Sequence, residues 1–245
     1  MNILITNDDG IKAPGIAALV RAFSSAGHTV VVCAPDSQRS AASQALTIAR
    51  PMTVREMPFD GAVQAFAIGG TPADCVKLGL LKLCPQAQAV VSGINCGYNV
   101  GTDILYSGTV GAAVEGAINA RPAMAVSQPR SREEYDRAAA LAVQAFEGMI
   151  AEPLPFGCVL NVNYPDCDEI RGLVRARMQP LHYDEQYVPG MDENGALTYT
   201  LMGVIEKGCA QSEDYERLCE GYATATVISY NMTDVQAMQS IKFIL

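Results

Sequence analysis

An α/β fold, with a mostly parallel sheet and helices on both faces, is the architecture that this sequence predicts. Three features point to it. Short β-rich runs alternate with helical patterns through the first two-thirds of the chain. The first such pair closes a strand–helix–strand unit within the opening residues. Polar clusters follow the strand-like runs, and ligands of open parallel sheets sit beyond the carboxyl ends of the strands.

In order, Met1 to Thr6 reads as a strand and Pro14 to Ser25 as a helix, with Ala13-Pro14-Gly15 at its entrance. Thr29 to Ala34 is the second strand, after the Ala26-Gly27 turn. Met52 to Met57 and Val63 to Ile68 suggest further strands. Thr71-Pro72 then supplies an N-cap and a first-turn proline for a helix over Ala73 to Leu83. Ala89 to Gly93 is a strand, followed by a glycine-rich loop and a helix from about Val110 to Asn119. Ala123 to Ser127, a helix over Arg132 to Ile150, and Cys158 to Val162 continue the alternation. The arrangement is Rossmann-like, and residues 1–168 are expected to form the catalytic domain.

After Tyr164-Pro165 the pattern changes. Ile170 to Met178, Ala196 to Val204 and Tyr222 to Tyr230 are strand-like without long intervening helices, and Asp192-Glu193-Asn194-Gly195 makes a turn. Residues 169–245 are expected to be a β-rich arm, with a hairpin and a short helix near Val235 to Ser240, suited to packing on another subunit.

Composition narrows the function. The chain has 245 residues, 49% of them hydrophobic and 18% charged, which is globular. A formal charge of −9 argues against a nucleic-acid polymer as partner, because phosphate backbones need a basic footprint. The eight cysteines (33, 75, 84, 96, 158, 167, 209 and 219) form no CxxC pair, so a thiolate zinc site is disfavoured and buried free thiols in a reducing compartment are expected. With no signal-peptide pattern and no apolar run approaching a membrane span, a cytoplasmic location is expected.

The candidate chemistry begins at Asn7-Asp8-Asp9-Gly10. Two adjacent carboxylates after a buried strand repel one another and resist desolvation, so a cation or solvent must compensate them. Ser40, in the stretch Ser37 to Ser43, and Asn95, in Ser92 to Asn99, follow other strands. Carboxylates, a hydroxyl and an amide are hard oxygen donors suited to Mg²⁺, Mn²⁺ or Ca²⁺. Each also has an ordinary use: Asp-Asp-Gly as a turn, Ser40 as a loop residue, Asn95 as a backbone cap. Ser107-Gly108-Thr109 precedes a helix of small residues whose free N–H groups could hold a phosphate, or could simply be capped. Neither a GxSxG elbow nor a P-loop is present, and the adjacent carboxylates lack the DxD spacing of aspartyl-phosphate phosphatases.

Read together, NDDGIKAPGI at 7–16, APDSQRSAASQALT at 34–47, GTPADCVKLGL at 70–80 and SGINCGYNVGTDILYSGTVGAAVEGA at 92–117 resemble the SurE survival-protein family of metal-dependent 5′-nucleotidases. Weaker echoes lie in NVNYP at 161–165 and EGYATATVISYNMTD at 220–234. The resemblance implies that Asp8, Asp9, Ser40 and Asn95 ligate one divalent metal, Mg²⁺ or Mn²⁺, with Ca²⁺ an occupant a crystal could select. It implies that Asn99, Ser107, Gly108 and Thr109 meet the phosphate of a nucleoside monophosphate, with Asp8 or Asp9 acting on the attacking water. Dimers or tetramers assembled through the C-terminal arm are implied as well. The sequence departs from the family at ARMQPLHYDEQYV (176–188), at AQSEDYERLCEGY (210–222), and at Gln38 and Ala41 beside Ser40. Two other readings stand beside this one: a broad phosphatase or exopolyphosphatase, and a nucleotide-binding regulator without turnover.

Overall fold

The computed structural model describes residues 1–206 and 211–240. A nine-stranded sheet runs through it in the order β3-β4-β2-β1-β5-β6-β7-β11-β8, where β1 is Asn2–Thr6, β2 Thr29–Pro35, β3 Val54–Glu56, β4 Gln64–Ile68, β5 Ala89–Cys96, β6 Ala123–Gln128, β7 Cys158–Asn163, β8 Leu173–Arg175 and β11 Ala223–Ser229. From β4 to β7 every neighbouring pair is parallel, while β3 and β11 join antiparallel to β4 and β7.

Side chains alternate across a strand, so β1 feeds two cores. Ile3 and Ile5 pack with Ile16, Leu19 and Phe23 of helix α1 (Pro14–Ser25) and Phe146 of α4 (Asp136–Ala151). Leu4 faces the other way, onto Cys75 and Val76 of α2 (Pro72–Leu78) and Ala113 of α3 (Gly108–Ile118). Helices therefore cover both faces, as the alternation requires.

Local chemistry sets several boundaries. Thr71 accepts from the Asp74 backbone N–H at 3.1 Å and donates its own N–H to the Asp74 carboxylate at 2.9 Å, a capping box that starts α2. The helix expected to reach Leu83 stays regular only to Leu78, then widens by one turn over Gly79–Leu83, where Gly79 lies directly on Leu4. Helix α4 begins at Asp136 and not at Arg132. The buried Gln128 amide donates to the carbonyls of Arg132 and Glu134, both at 3.1 Å, and holds the preceding residues in a turn.

The C-terminal third divides differently from the expectation. β11 and β8 extend the main sheet, because β7 is buried and its free edge needs a ladder partner. The hairpin alone stands off the sheet: β9 (Tyr183–Met191) pairs antiparallel with β10 (Leu197–Ile205) around Asp192–Gly195. Helix α5 (Glu213–Cys219) has no counterpart in the sequence reading, and α6 (Val235–Ser240) falls where the short helix was expected. Cys33, Cys75 and Cys84 are buried free thiols, whereas Cys96, Cys158 and Cys167 are half-buried and Cys219 is exposed. Cys209 lies outside the described residues. Among those residues no helix is long and apolar enough to cross a membrane.

Candidate metal and phosphate site

The adjacent strands β2, β1, β5, β6 and β7 deliver their carboxyl ends to one side of the sheet. A cavity of about 430 Å³ opens there, and Asp8, Asp9, Ser40, Asn95, Asn99 and Ser107 all line it. Residues separated by up to ninety-nine positions in sequence thus share one space, from Asp8 to Ser107.

Asp8 is only 7% exposed, and its carboxylate accepts the Thr109 hydroxyl at 2.6 Å. Burial pushes its pKa up from 3.8 to about 6; the Thr109 hydrogen bond opposes that rise and the neighbouring Asp9 charge adds to it. Asp9 accepts from the Cys96 N–H at 3.1 Å and the Gln38 amide at 3.3 Å. Gln38, one of the departures beside Ser40, thereby orients a carboxylate.

The loop after β2 is tied down at both ends. The Arg39 N–H donates to the Asp8 carbonyl at 2.7 Å, and Ser43 donates through its N–H to Tyr106 at 3.0 Å and through its hydroxyl to Leu105 at 2.8 Å. Between these anchors Ala41 and Ser43 hold φ of 54° and 50°, a left-handed conformation costly for residues with a Cβ. The loop carries Ser40 to the cavity at that cost. Asn95 donates its amide N–H to the Gly97 carbonyl at 2.9 Å, which keeps its amide oxygen available as an acceptor.

These donors fit a hard cation. Neither Asp8 nor Asp9 has an ion-pair partner among the described residues. No group of three or more His, Cys, Asp or Glu side chains with metal-binding geometry exists among them either. A cation here would therefore draw on the Ser40 hydroxyl and the Asn95 amide together with the two carboxylates.

The phosphate candidates divide. Ser107 caps α3 by accepting the Val110 N–H at 3.1 Å, and its own proton stays free to donate at the cavity wall. Gly108 and Thr109 stand behind Asp8 and not on the cavity surface. A Cβ at Gly108 would lie 3.0 Å from the Asp8 Cβ, so glycine is what lets α3 approach the aspartate. Thr109 has a single hydroxyl proton and gives it to Asp8. The anion at this helix terminus is thus the protein's own carboxylate.

Asn99 is held by a buried amide network that residue-by-residue reading missed. Its N–H donates to the Asn163 Oδ1 at 2.9 Å and its amide to the Ser127 hydroxyl at 2.9 Å, while its carbonyl accepts from Asn161 at 2.8 Å and Asn163 at 3.0 Å. The signal was present in NVNYP, whose asparagines occupy a strand end. The opposite wall had no such signal. Leu181, Tyr183 and Tyr215 come from the divergent C-terminal stretches and Ile205 from the end of β10 between them, and the Tyr183 hydroxyl donates to Asp103 at 2.5 Å.

Comparison with known proteins identifies the family. The family model described as "Survival protein SurE" matches residues 3–185. A relative named 5′-nucleotidase SurE from Synechococcus sp. (strain JA-3-3Ab) is 40% identical over 250 residues, covering 99% of this chain and 96% of its own length. One of the same name from Gloeobacter violaceus is 43% identical over 240 residues, covering 95% and 91%. The crystal structure of a SurE protein from Aquifex aeolicus superposes with a TM-score of 0.85 at 34% identity, covering 99% of each chain. With the motifs, the sheet and the matched length in agreement, this chain belongs to the survival protein SurE family.

Proposed function

We propose that the chain is a 5′-nucleotidase, a phosphomonoesterase that hydrolyses nucleoside monophosphates to nucleoside and inorganic phosphate. The observation that carries this reading is the convergence of Asp8, Asp9, Ser40 and Asn95 on one cavity, in a chain whose full-length relatives bear that name.

Asp8, Asp9, Ser40 and Asn95 would hold one divalent cation, Mg²⁺ or Mn²⁺. When bound, it supplies Lewis acidity and positive charge for the phosphoryl oxygens. The chain's own groups do the rest. Ser107 donates its hydroxyl proton, and Asn99 the amide proton not given to Ser127, to phosphoryl oxygens. An aspartate of the pair orients the attacking water and accepts its proton. As its bond to phosphorus breaks, the leaving 5′-oxygen takes up a proton, returned by the aspartate that received it from the water.

Assembly follows from the hairpin. Val188, Met191, Leu197, Tyr199, Leu201 and Val204 are all exposed on a two-stranded ribbon, and such a ribbon is marginal in water without a partner. The reading is a homodimer or homotetramer joined through this arm, in the cytoplasm, where free thiols persist.

Phosphate release from AMP by metal-stripped protein, with Mg²⁺ or Mn²⁺ restored, tests the reading beside Asp9→Asn. Metal-dependent release that collapses in the variant supports it. Faster turnover of short polyphosphate than of any nucleotide would favour the broad phosphatase, and nucleotide binding without release would favour the regulator.

A further inference from the structure

Among the described residues, the cavity that holds the carboxylate pair has one cationic lining residue, Arg130, which the motifs do not include. Asp8, Asp9 and Asp103 line the same space, in a chain of net charge −9, so a phosphate dianion entering it meets like charge. Arg130 follows the end of β6 by two residues, beside the strand that brings Asn95.

Its side chain passes beside Gly97. An ideal Cβ at Gly97 would lie 3.2 Å from the Arg130 Nε and 3.9 Å from the Asn95 Nδ2, so the missing side chain leaves guanidinium and amide facing a common space. The backbone beyond is pinned by Arg132, which pairs with Asp168 at 3.2 Å and lies 5.7 Å over the Tyr164 ring. Arg130 itself is exposed and takes part in no ion pair among the described residues, unlike Arg21, Arg39, Arg137 and Arg177. A guanidinium that shares the cavity with three carboxylates, and pairs with none of them among the described residues, is free for an incoming anion.

We infer that Arg130 receives the substrate phosphate, offering paired N–H donors to its non-bridging oxygens. The planar guanidinium matches two phosphoryl oxygens at once, which a point charge cannot do. This assignment rests on the phosphomonoesterase reading and adds to it the residue that offsets the cavity's negative charge.

The test compares the metal-loaded wild type with Arg130→Met and Arg130→Lys, after circular dichroism and melting establish that each is folded. Inhibition by inorganic phosphate, KM and kcat for AMP, and inhibition by adenosine are measured. The Met variant is expected to raise the phosphate inhibition constant and the KM about tenfold or more, as loss of a charge-assisted contact does, with adenosine inhibition unchanged. The Lys variant recovers part of the loss. A phosphate inhibition constant that stays at the wild-type value in the Met variant overturns the assignment. Should the wild type hydrolyse no monoester, the nucleotidase reading fails by itself, and calorimetric binding of inorganic phosphate still decides Arg130. Weaker binding in the Met variant then supports it, and equal or absent binding in both chains overturns it.

Discussion

The Thr109 hydroxyl donates to the Asp8 carboxylate at 2.6 Å, joining the first turn of α3 to the end of β1 across 101 residues of sequence. Both groups are buried, so the bond forms where water cannot replace it. Thr109→Val keeps the shape and removes the proton donor. It is expected to lower metal-dependent phosphate release about tenfold and to weaken cation binding, measured by titrating activity and melting temperature with Mn²⁺.

The same burial makes the metal-free protein sensitive to pH. A pKa raised from 3.8 to about 6 in the folded chain means that folding holds the Asp8 proton more tightly, so its contribution to stability is full below about 4 and lost as pH rises through about 6. The shift corresponds to roughly 3 kcal/mol. Denaturant melts of chelator-treated protein should show Asp8→Asn more stable than wild type at pH 7, with the advantage gone by pH 4. The same variant should gain no stability from added Mn²⁺.

Asn163 both accepts from and donates to the backbone of Asn99, at 2.9 and 3.0 Å, fixing that residue at the cavity wall. Asn163→Ala leaves the buried Asn99 N–H unsatisfied, while Asn161 still serves the Asn99 carbonyl, and is expected to cost about 1–3 kcal/mol of stability. Asn163→Asp restores the acceptor but not the donor, so it should recover only part of that cost. In folded protein at low temperature the Ala variant should lower kcat for AMP more than it raises KM, because Asn99 would be displaced and not deleted.

Asp74 behaves in the opposite sense to Asp8. Burial alone would raise its pKa, but hydrogen bonds from Thr47 and Thr71 outweigh that and hold it below the usual carboxylate value. Its contribution is therefore present above its unfolded pKa and lost as pH falls through the folded one. Asp74→Ala is expected to destabilise by about 2–3 kcal/mol near neutrality and by progressively less in acid, read from urea melts across pH.

Removing the hairpin between Asp184 and Val204 and closing it with a short glycine turn should convert the proposed dimer or tetramer to a monomer by light scattering. The sheet should survive, since among the described residues β9 and β10 pair only with one another. Tyr183 and Ile205 remain in that variant, so the cavity wall is kept while the arm is lost.

Much of the fold could be read from order and periodicity. The alternation through Cys158–Asn163 predicted the parallel strands and the helices on both faces, because an apolar run bounded by turn residues carries its own instruction. The co-linear motifs marked Asp8, Asp9, Ser40 and Asn95, whose types suit a cation wherever the chain brings them together. Tertiary structure alone settled the partners. That Thr109 serves Asp8, that Asn161 and Asn163 hold Asn99, and that Tyr183 closes the cavity are long-range relations, fixed only when strand order and helix packing set the distances. β11 likewise reads as part of an arm and folds into the sheet, because nothing local says that β7 needs a ladder on its far edge. Periodicity records what a segment must bury, and the completed sheet determines which groups meet at its edge.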